Sequence, residues 1–244
     1  MEMEVYVGCC GIPGGLEKYS REFRVAELNN TFYKLPKLET VDKWVKTVPE
    51  NFIFCVKAFQ GITHPITSPT WKKSGIKDLD RLKDKVGFLK PTNEVFEFWR
   101  QTLEVCRALK ARVCLIQLPE SFRENEENLR NIDLFFSNIE RGVSIALELR
   151  GWSKGKFKEV CEKHDLISCV DPLKDEPLHF SKDNIAYFRL HGLGKKMYNY
   201  KFTDEDLQKL KNIIKGLKVS ECYVLFNNIY MYDDAKRFMQ LMKN

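Results

Sequence analysis

The stretch Ile185-Ala186-Tyr187-Phe188-Arg189-Leu190-His191 decides the fold. Read as a pleated strand, it sends Tyr187, Arg189 and His191 to one side and Ala186, Phe188 and Leu190 to the other. The second side is apolar throughout and suits packing against helices. The first turns charged toward its C-terminal end, as expected of a strand buried on both faces that opens there onto a polar site.

Working outward, β-branched and aromatic runs recur along the chain, each bounded by Gly, Pro, Asn or Asp and followed by a helical pattern, the signature of βα units. Eight are found: Glu4 to Gly8, Arg24 to Asn29, Phe52 to Ala58, Arg112 to Leu118, Val143 to Arg150, Leu166 to Asp171, Ile185 to His191 and Cys222 to Asn227. Helices are expected near Leu16 to Arg21, Thr40 to Val48, Glu94 to Lys110, Glu126 to Asn138, Lys154 to His164, Asp175 to Ser181, Asp204 to Lys215 and Tyr232 to Met242. Thr203 with Asp206 forms a variant capping box, Thr40 stands at the start of a helix carrying Val41, Trp44, Val45 and Val48, and Pro49 ends that helix. Eight such units in 244 residues predict a single-domain (β/α)8 TIM-type barrel over 1–244, a fold of about 250 residues. An open doubly wound sheet is the alternative. Against it, Gly8-Cys9-Cys10-Gly11-Ile12-Pro13-Gly14-Gly15 lacks the glycine spacing of a dinucleotide fold.

Composition removes other classes. With 30% charged and 43% apolar residues the chain is not collagen, a coiled coil or a disordered tail, and its core suffices without disulfide or metal staples. No window approaches the roughly 18 apolar residues of a membrane span, and Met1-Glu2-Met3-Glu4 lacks an apolar signal core, so a cytoplasmic protein with no membrane partner is expected. Cysteines 55, 106, 114, 169 and 222 sit in apolar runs and read as small hydrophobes, and no C-x-x-C pair suggests a zinc ribbon. Cys9 and Cys10 could supply a nucleophile, but no histidine adjoins them in sequence, and a plain thiol is the favoured reading.

A net charge of +6 biases the surface toward anionic partners. Much of it lies in one place. The long connection after strand three, 59–93, carries seven basic residues (Lys72, Lys73, Lys77, Arg81, Lys83, Lys85, Lys90) against three acidic ones (Asp78, Asp80, Asp84). Connections of this length are often lids, so it is expected as a basic flap over the C-terminal face.

The inward series of the other strands follow the same alternation. Strand two gives Val25, Glu27 and Asn29, strand three Ile53, Cys55 and Lys57, strand four Val113, Leu115 and Gln117. Strand five gives Ser144, Ala146, Glu148 and Arg150, strand six Ile167, Cys169 and Asp171, strand eight Tyr223, Leu225 and Asn227. Their outward neighbours Leu28, Val56, Leu118, Leu149, Val170, Leu190 and Phe226 are apolar. A polar ring at the C-terminal mouth follows, where active sites of this fold lie. Buried charges cost several kcal/mol each unless paired, so either the ring serves a function or Glu27, Glu148 and Asp171 neutralise Lys57, Arg150 and Arg189 in a closed network. Functionally, Glu27 and Glu148 are acid/base candidates, His191 a proton shuttle, and Lys57, Arg150 and Arg189 anion anchors. A divalent metal could draw on Glu27, Glu148, Asp171 and His191, but the three cations oppose it, and neither metal nor cofactor is expected.

Six ordered motifs, taken together, resemble the domain-of-unknown-function 72 (YecE-like) family. They are Glu27-Leu28-Asn29-Asn30-Thr31-Phe32-Tyr33, Val56-Lys57-Ala58 with Ile62-Thr63-His64, Gln117-Leu118-Pro119, Glu148-Leu149-Arg150 with Trp152, Arg189-Leu190-His191-Gly192, and Phe226-Asn227-Asn228. The resemblance implies a TIM-type barrel without an established activity, similar to the endonuclease IV and xylose isomerase barrels. It carries the family's polar signature onto Glu27, Asn29, Thr31, Tyr33, Lys57, His64, Gln117, Glu148, Arg150, Arg189, His191, Asn227 and Asn228. The chain departs from it at Cys9-Cys10, where the family has Thr-Ser, and at Gly151, where it has His, which weakens a histidine-rich metal site further. The expected function is an enzyme acting on a small phosphate- or carboxylate-bearing substrate of sugar or nucleoside type. Its reaction class, hydrolase or isomerase/lyase, stays open. A nucleic-acid-binding protein or phosphodiesterase is the alternative, and a non-catalytic scaffold a second.

Overall fold

The computed structural model describes residues 3–195 and 197–243. The strands are β1 (Glu4–Cys10), β2 (Val25–Leu28), β3 (Ile53–Lys57), β4 (Val113–Gln117), β5 (Ser144–Glu148), β6 (Ile167–Ser168), β7 (Ile185–Leu190) and β8 (Glu221–Phe226). They form one parallel sheet in the order β6-β5-β4-β3-β2-β1-β8-β7. β6 and β7 meet only past the end of β6, where Arg189 N–H donates to the Val170 carbonyl at 3.1 Å, so the barrel is nearly closed. The helices are α1 (Leu16–Glu22), α2 (Asn30–Tyr33), α3 (Leu38–Thr47), α4 (Gln60–Thr63), α5 (Asn93–Leu109), α6 (Glu126–Asn138), α7 (Lys154–His164), α8 (Asp204–Lys215) and α9 (Met231–Lys243).

Alternation along the strands builds two cores. Inward residues Cys10, Val25, Cys55, Leu115, Ala146, Cys169, Tyr187, Tyr223 and Leu225 pack together within the barrel. Outward residues such as Leu28, Val56, Ile116, Leu147, Phe188, Leu190 and Phe226 pack beneath the helices. All eight cysteines are free and buried. Burial pushes the Cys9 thiol up to about 12, and burial raises the Cys10 thiol too, so neither is a ready nucleophile at neutral pH.

At the N-terminal end, Arg112 just before β4 spans the barrel to Glu221 on β8 with two guanidinium bonds, Nε to Oε2 at 3.0 Å and Nη2 to Oε1 at 2.8 Å. Ser144 and Tyr223 complete this floor, accepting from Arg112 and donating to Glu221 respectively.

The expected elements differ from those observed at several places. The sixth strand is only two residues long, and no helix forms over Asp175 to Ser181. Pro177 lacks an amide hydrogen and disfavours a helical residue before it. The Ser168 hydroxyl instead accepts from the Leu178 and His179 amides at 2.8 and 2.9 Å, folding this segment against β6. The helix expected from Thr40 starts at Leu38, after an extended Lys37 that makes no side-chain cap, whereas the Thr203 and Asp206 capping box is present in full. The connection 59–92 is partly ordered by α4 and two 3-10 turns, Pro69–Lys73 and Asp80–Leu82, around a small core of Phe59, Trp71, Leu82 and Val86. The lysines at 72, 73, 77, 83 and 85 and Arg81 remain exposed on its outer side.

Candidate functional site

The strands deliver four charged side chains from β2, β5 and β7 to one point at the mouth. Arg189, 1% exposed, gives Nη2 to Glu27 Oε1 at 3.0 Å and Nη1 to Glu148 Oε2 at 2.7 Å. Glu27 also accepts from the Tyr187 hydroxyl at 2.8 Å. Arg150 gives Nε and Nη2 to Glu148 Oε1 at 3.0 and 2.8 Å. The result is a continuous row, Glu27–Arg189–Glu148–Arg150, of alternating sign. Burial alone would raise the Glu148 carboxyl, but the two guanidinium groups outweigh it and hold the group well below the usual carboxylate range. A carboxylate so held is a fixed charge that orients both arginines rather than a proton donor at neutral pH.

Two of the six expected ring charges stand outside this row. Asp171 accepts from the backbone amides of Leu173 at 3.1 Å and His191 at 3.3 Å, and burial raises its carboxyl. Lys57, the last residue of β3, forms no ion pair among the described residues; its Nζ lies 4.2 Å from the centre of the Phe32 ring. Burial, then the like charge of Arg189, lowers its amine to about 8 despite Glu27 and Glu148. The closed network of six charges is therefore realised by only four of them. Counted with Asp171, the ring holds three carboxylates and three cations, and Lys57 is the cation outside the ion-paired row.

The two histidines at the mouth, His191 and His64, add no charge. His191, kept neutral mainly by burial with its pKa lowered to about 3, places Nε2 at 3.5 Å from Arg189 Nη1. A guanidinium only donates, so Nε2 accepts and the ring proton sits on Nδ1. His64 is likewise lowered to about 3 by burial, then by Lys57 and Arg150. Its Nδ1 meets the Thr63 hydroxyl at 2.8 Å, and its ring stands edge-on to Phe32 at 4.8 Å. Phe32 thus carries Lys57 and His64 together.

Beside the row opens a pocket of about 290 Å³ between β5, β6 and β7. Glu148, Arg150, Asp171 and His191 border it, with Trp152, Lys174, Asp175 and Glu176 from the surrounding loops and Lys154 from the start of α7, its Nζ 3.8 Å from Asp175 and 3.7 Å from Glu176. Gly151, with φ of 72°, leaves open space there where a side chain would stand. A larger open depression of about 760 Å³ lies on the outer surface between α8 and α9, with no strand residue in its lining.

The remaining candidates are dispersed. Gln117 ends β4 with its amide 3.4 Å from the Leu118 carbonyl, and Asn227 follows β8, its backbone amide bound to Leu190 at 2.8 Å. Asn29 donates to the Cys10 carbonyl at 3.0 Å. Tyr33 points away, into a shallow surface depression with Trp44 and Lys73. Asn228 is tied into the outer layer, donating to the Tyr200 carbonyl and to Asp234 at 2.6 and 2.8 Å. Sequence reasoning missed Tyr187 as a partner of Glu27, although its place in the inward series marked it. Lys174 and Tyr198, whose ring lies 5.5 Å from that of His191, sit on loops where periodicity carries no signal, and Lys154 is the first residue of α7. Among the described residues, no three His, Cys, Asp or Glu side chains gather as a metal site, and no helix is long and apolar enough to cross a membrane.

Fold and row together define a parallel (β/α)8 barrel with an ion-paired mouth at the C-terminal ends of its strands. Residues 5–244 match the family described as Protein of unknown function DUF72, and the chain belongs to that family. It is 24% identical to the UPF0759 protein YunF of Bacillus subtilis, over 93% of this chain and 85% of that one. Crystal structures of DUF72 family proteins share the fold. That from Enterococcus faecalis has a TM-score of 0.74 at 20% identity, covering 100% of this chain and 99% of its own. That from Thermotoga maritima has a TM-score of 0.70 at 22% identity, covering 99% and 100%. The barrel architecture extends to endonuclease IV from Thermus thermophilus, with a TM-score of 0.54 at 10% identity over 99% of this chain and 98% of that one. It extends also to D-psicose 3-epimerase, at the same score, identity and coverage.

Proposed function

We propose that the protein is an enzyme acting on a small phosphate- or carboxylate-bearing substrate, of sugar or nucleoside type, bound at the barrel mouth. The observation that carries this reading is that Lys57, among the three cations and three carboxylates of the ring, forms no ion pair with the described residues, while the two arginines between them engage Glu27 and Glu148. In a site of low dielectric an unmatched cation attracts an anionic group far more strongly than in water. Arg150 lines the pocket with a guanidinium suited to planar, two-point recognition of carboxylate or phosphate. The pocket, about 290 Å³, lies at the lower bound of about 300 Å³ for ligand cavities, which favours a molecule of a few carbons.

The roles divide by chemistry. Glu148 and Glu27 hold the arginines; His191, neutral, offers Nδ1–H to a substrate oxygen; Asn227 orients. Lys57, whose amine titrates near 8, is the group best matched to proton exchange near neutrality. Thermal-shift measurements with sugar phosphates, sugar acids and the matching neutral sugars test the reading. The acids and phosphates are expected to stabilise the wild type and to lose that effect in Arg150→Met. Equal shifts for the variant, or for neutral sugars, would overturn it.

The exposed basic side of 59–92 favours one second reading, a nucleic-acid-binding surface. Its affinity for DNA or RNA should then fall by about 0.9 log units per log unit of salt for each phosphate contacted, and no binding at low salt would remove it.

A further inference from the structure

We propose that the pocket at the mouth takes a molecule carrying a primary ammonium together with its anionic group, the ammonium held by Asp171 and the anion by Arg150. This rests on the small-anion reading above and narrows it to aminated substrates, such as an amino sugar phosphate or an amino acid.

The argument begins with how the charges that border the pocket are paired. Glu148 is engaged by Arg189 at 2.7 Å and by Arg150 at 2.8 Å, and Lys154 lies 3.8 Å from Asp175 and 3.7 Å from Glu176. Asp171 is the bordering carboxylate that forms no ion pair among the described residues. It accepts from two backbone amides, Leu173 at Oδ1 and His191 at Oδ2. A carboxylate offers about four acceptor sites, so roughly half of its capacity stays open. Lys174, three residues on, is exposed and makes no ion pair with it. Burial raises the Asp171 carboxyl, as expected of a charge that its surroundings leave uncompensated.

Arg150 borders the same cavity and is only half used. Its Nε and Nη2 bond to Glu148, while Nη1 donates to no carboxylate among the described residues. The pocket therefore presents an open donor edge and an open carboxylate together, within a volume of about 290 Å³. A plain anion on Arg150 would share that volume with the like charge of Asp171, which is unfavourable at any dielectric. An ammonium on the same molecule turns the repulsion into attraction and gives the half-buried carboxylate the partner it lacks. The aromatic wall agrees. Trp152 borders the pocket, fixed by stacking on Phe122 at 5.6 Å and by its indole N–H, which donates to the Phe122 carbonyl at 2.7 Å. An indole face attracts a cation.

The test measures the affinity of the whole protein, in buffer with EDTA, for three matched pairs of ligands by calorimetry. They are glucosamine 6-phosphate with glucose 6-phosphate, 2-amino-2-deoxygluconate with gluconate, and phosphoethanolamine with ethyl phosphate. In at least one pair the aminated member is expected to bind about tenfold or more tightly, the least expected of a close, desolvated charge pair. Asp171→Asn should remove that preference while the unaminated anion binds at least as well as to the wild type. The comparison of ligands on the wild type decides the question even where the variant folds poorly. Equal affinity within all three pairs, or a preference that survives in folded Asp171→Asn, overturns the proposal. If the unaminated anions bind as well as the aminated ones, the ammonium alone falls; if no member of any pair binds, the small-anion reading falls with it.

Discussion

Arg189 has three guanidinium nitrogens and commits two of them to carboxylates on other strands, Glu27 and Glu148. Such a buried pair must be nearly complete to be tolerated, because removing one partner of a buried pair costs about 3–5 kcal/mol. The neighbouring rings avoid the same cost by staying neutral. That has a measurable consequence in acid. The unfolded chain takes up a proton on His64 and His191 near their ordinary value of 6.5, whereas burial in the fold delays uptake to about 3. Between these values the unfolded state binds more protons, so stability is full above about pH 6.5 and falls as pH drops. The slope approaches about 1.4 kcal/mol per pH unit for each ring. Glu148, depressed below its ordinary 4.5, adds a loss of the same sign below that pH. Urea unfolding from pH 7.5 to 5 should show this limb, and His191→Gln should reduce its slope by about half; an unchanged slope would contradict the burial argument. Alternation along the strands was enough to single out Glu27, Lys57, Glu148, Arg189 and His191, because inward and outward positions differ in composition. Which of these charges pair was not legible, since pairing depends on strand stagger and rotamers that no single run of sequence records.

Among elements, the 59–92 connection has a core of its own, and this bears on how it supports the mouth. Trp71, 2% exposed, packs edge-on to Phe59 and donates its indole N–H to the Pro65 carbonyl at 2.9 Å. Gly87, with φ of 80°, lets the chain pass so close to His64 that a Cβ there would lie 2.4 Å from its carbonyl carbon. Trp71→Ala should therefore loosen this segment before the barrel, lowering its local stability by about 3 kcal/mol or more. Hydrogen exchange read by mass spectrometry should accelerate over 59–92 and leave β1 and β8 protected. Uniform acceleration across the chain would show that the segment is not a separate unit. The length and charge of this connection were plain in the sequence, but its fold was not, because short 3-10 turns have too few residues for a periodic signal. The sixth strand was overextended for the opposite reason: Leu166 to Asp171 has strand composition, yet Ser168 and Pro177 divert its pairing into side-chain bonds.

Across the molecule, the two ends of the barrel differ in how their charges are paired. The floor is closed by the ion pair of Arg112 and Glu221, with Tyr223 donating to Glu221 and Ser144 accepting from Arg112 and donating to Asp183. The mouth instead leaves Lys57 outside the ion-paired row and opens onto a pocket. Eight repeating strand and helix patterns made the barrel legible from sequence, and the parallel order of its strands follows from helices joining most of them. The place of the pocket to one side of the axis was not legible, since Trp152, Lys174, Asp175 and Glu176 arrive from loops. The account stands on the mouth receiving a small anion. A crystal structure of the protein grown with saturating dihydroxyacetone phosphate measures this most directly. Phosphate density in the mouth within hydrogen-bonding distance of Arg150 is the expected result. An empty mouth with phosphate confined to the exposed lysines of 59–92 would contradict it.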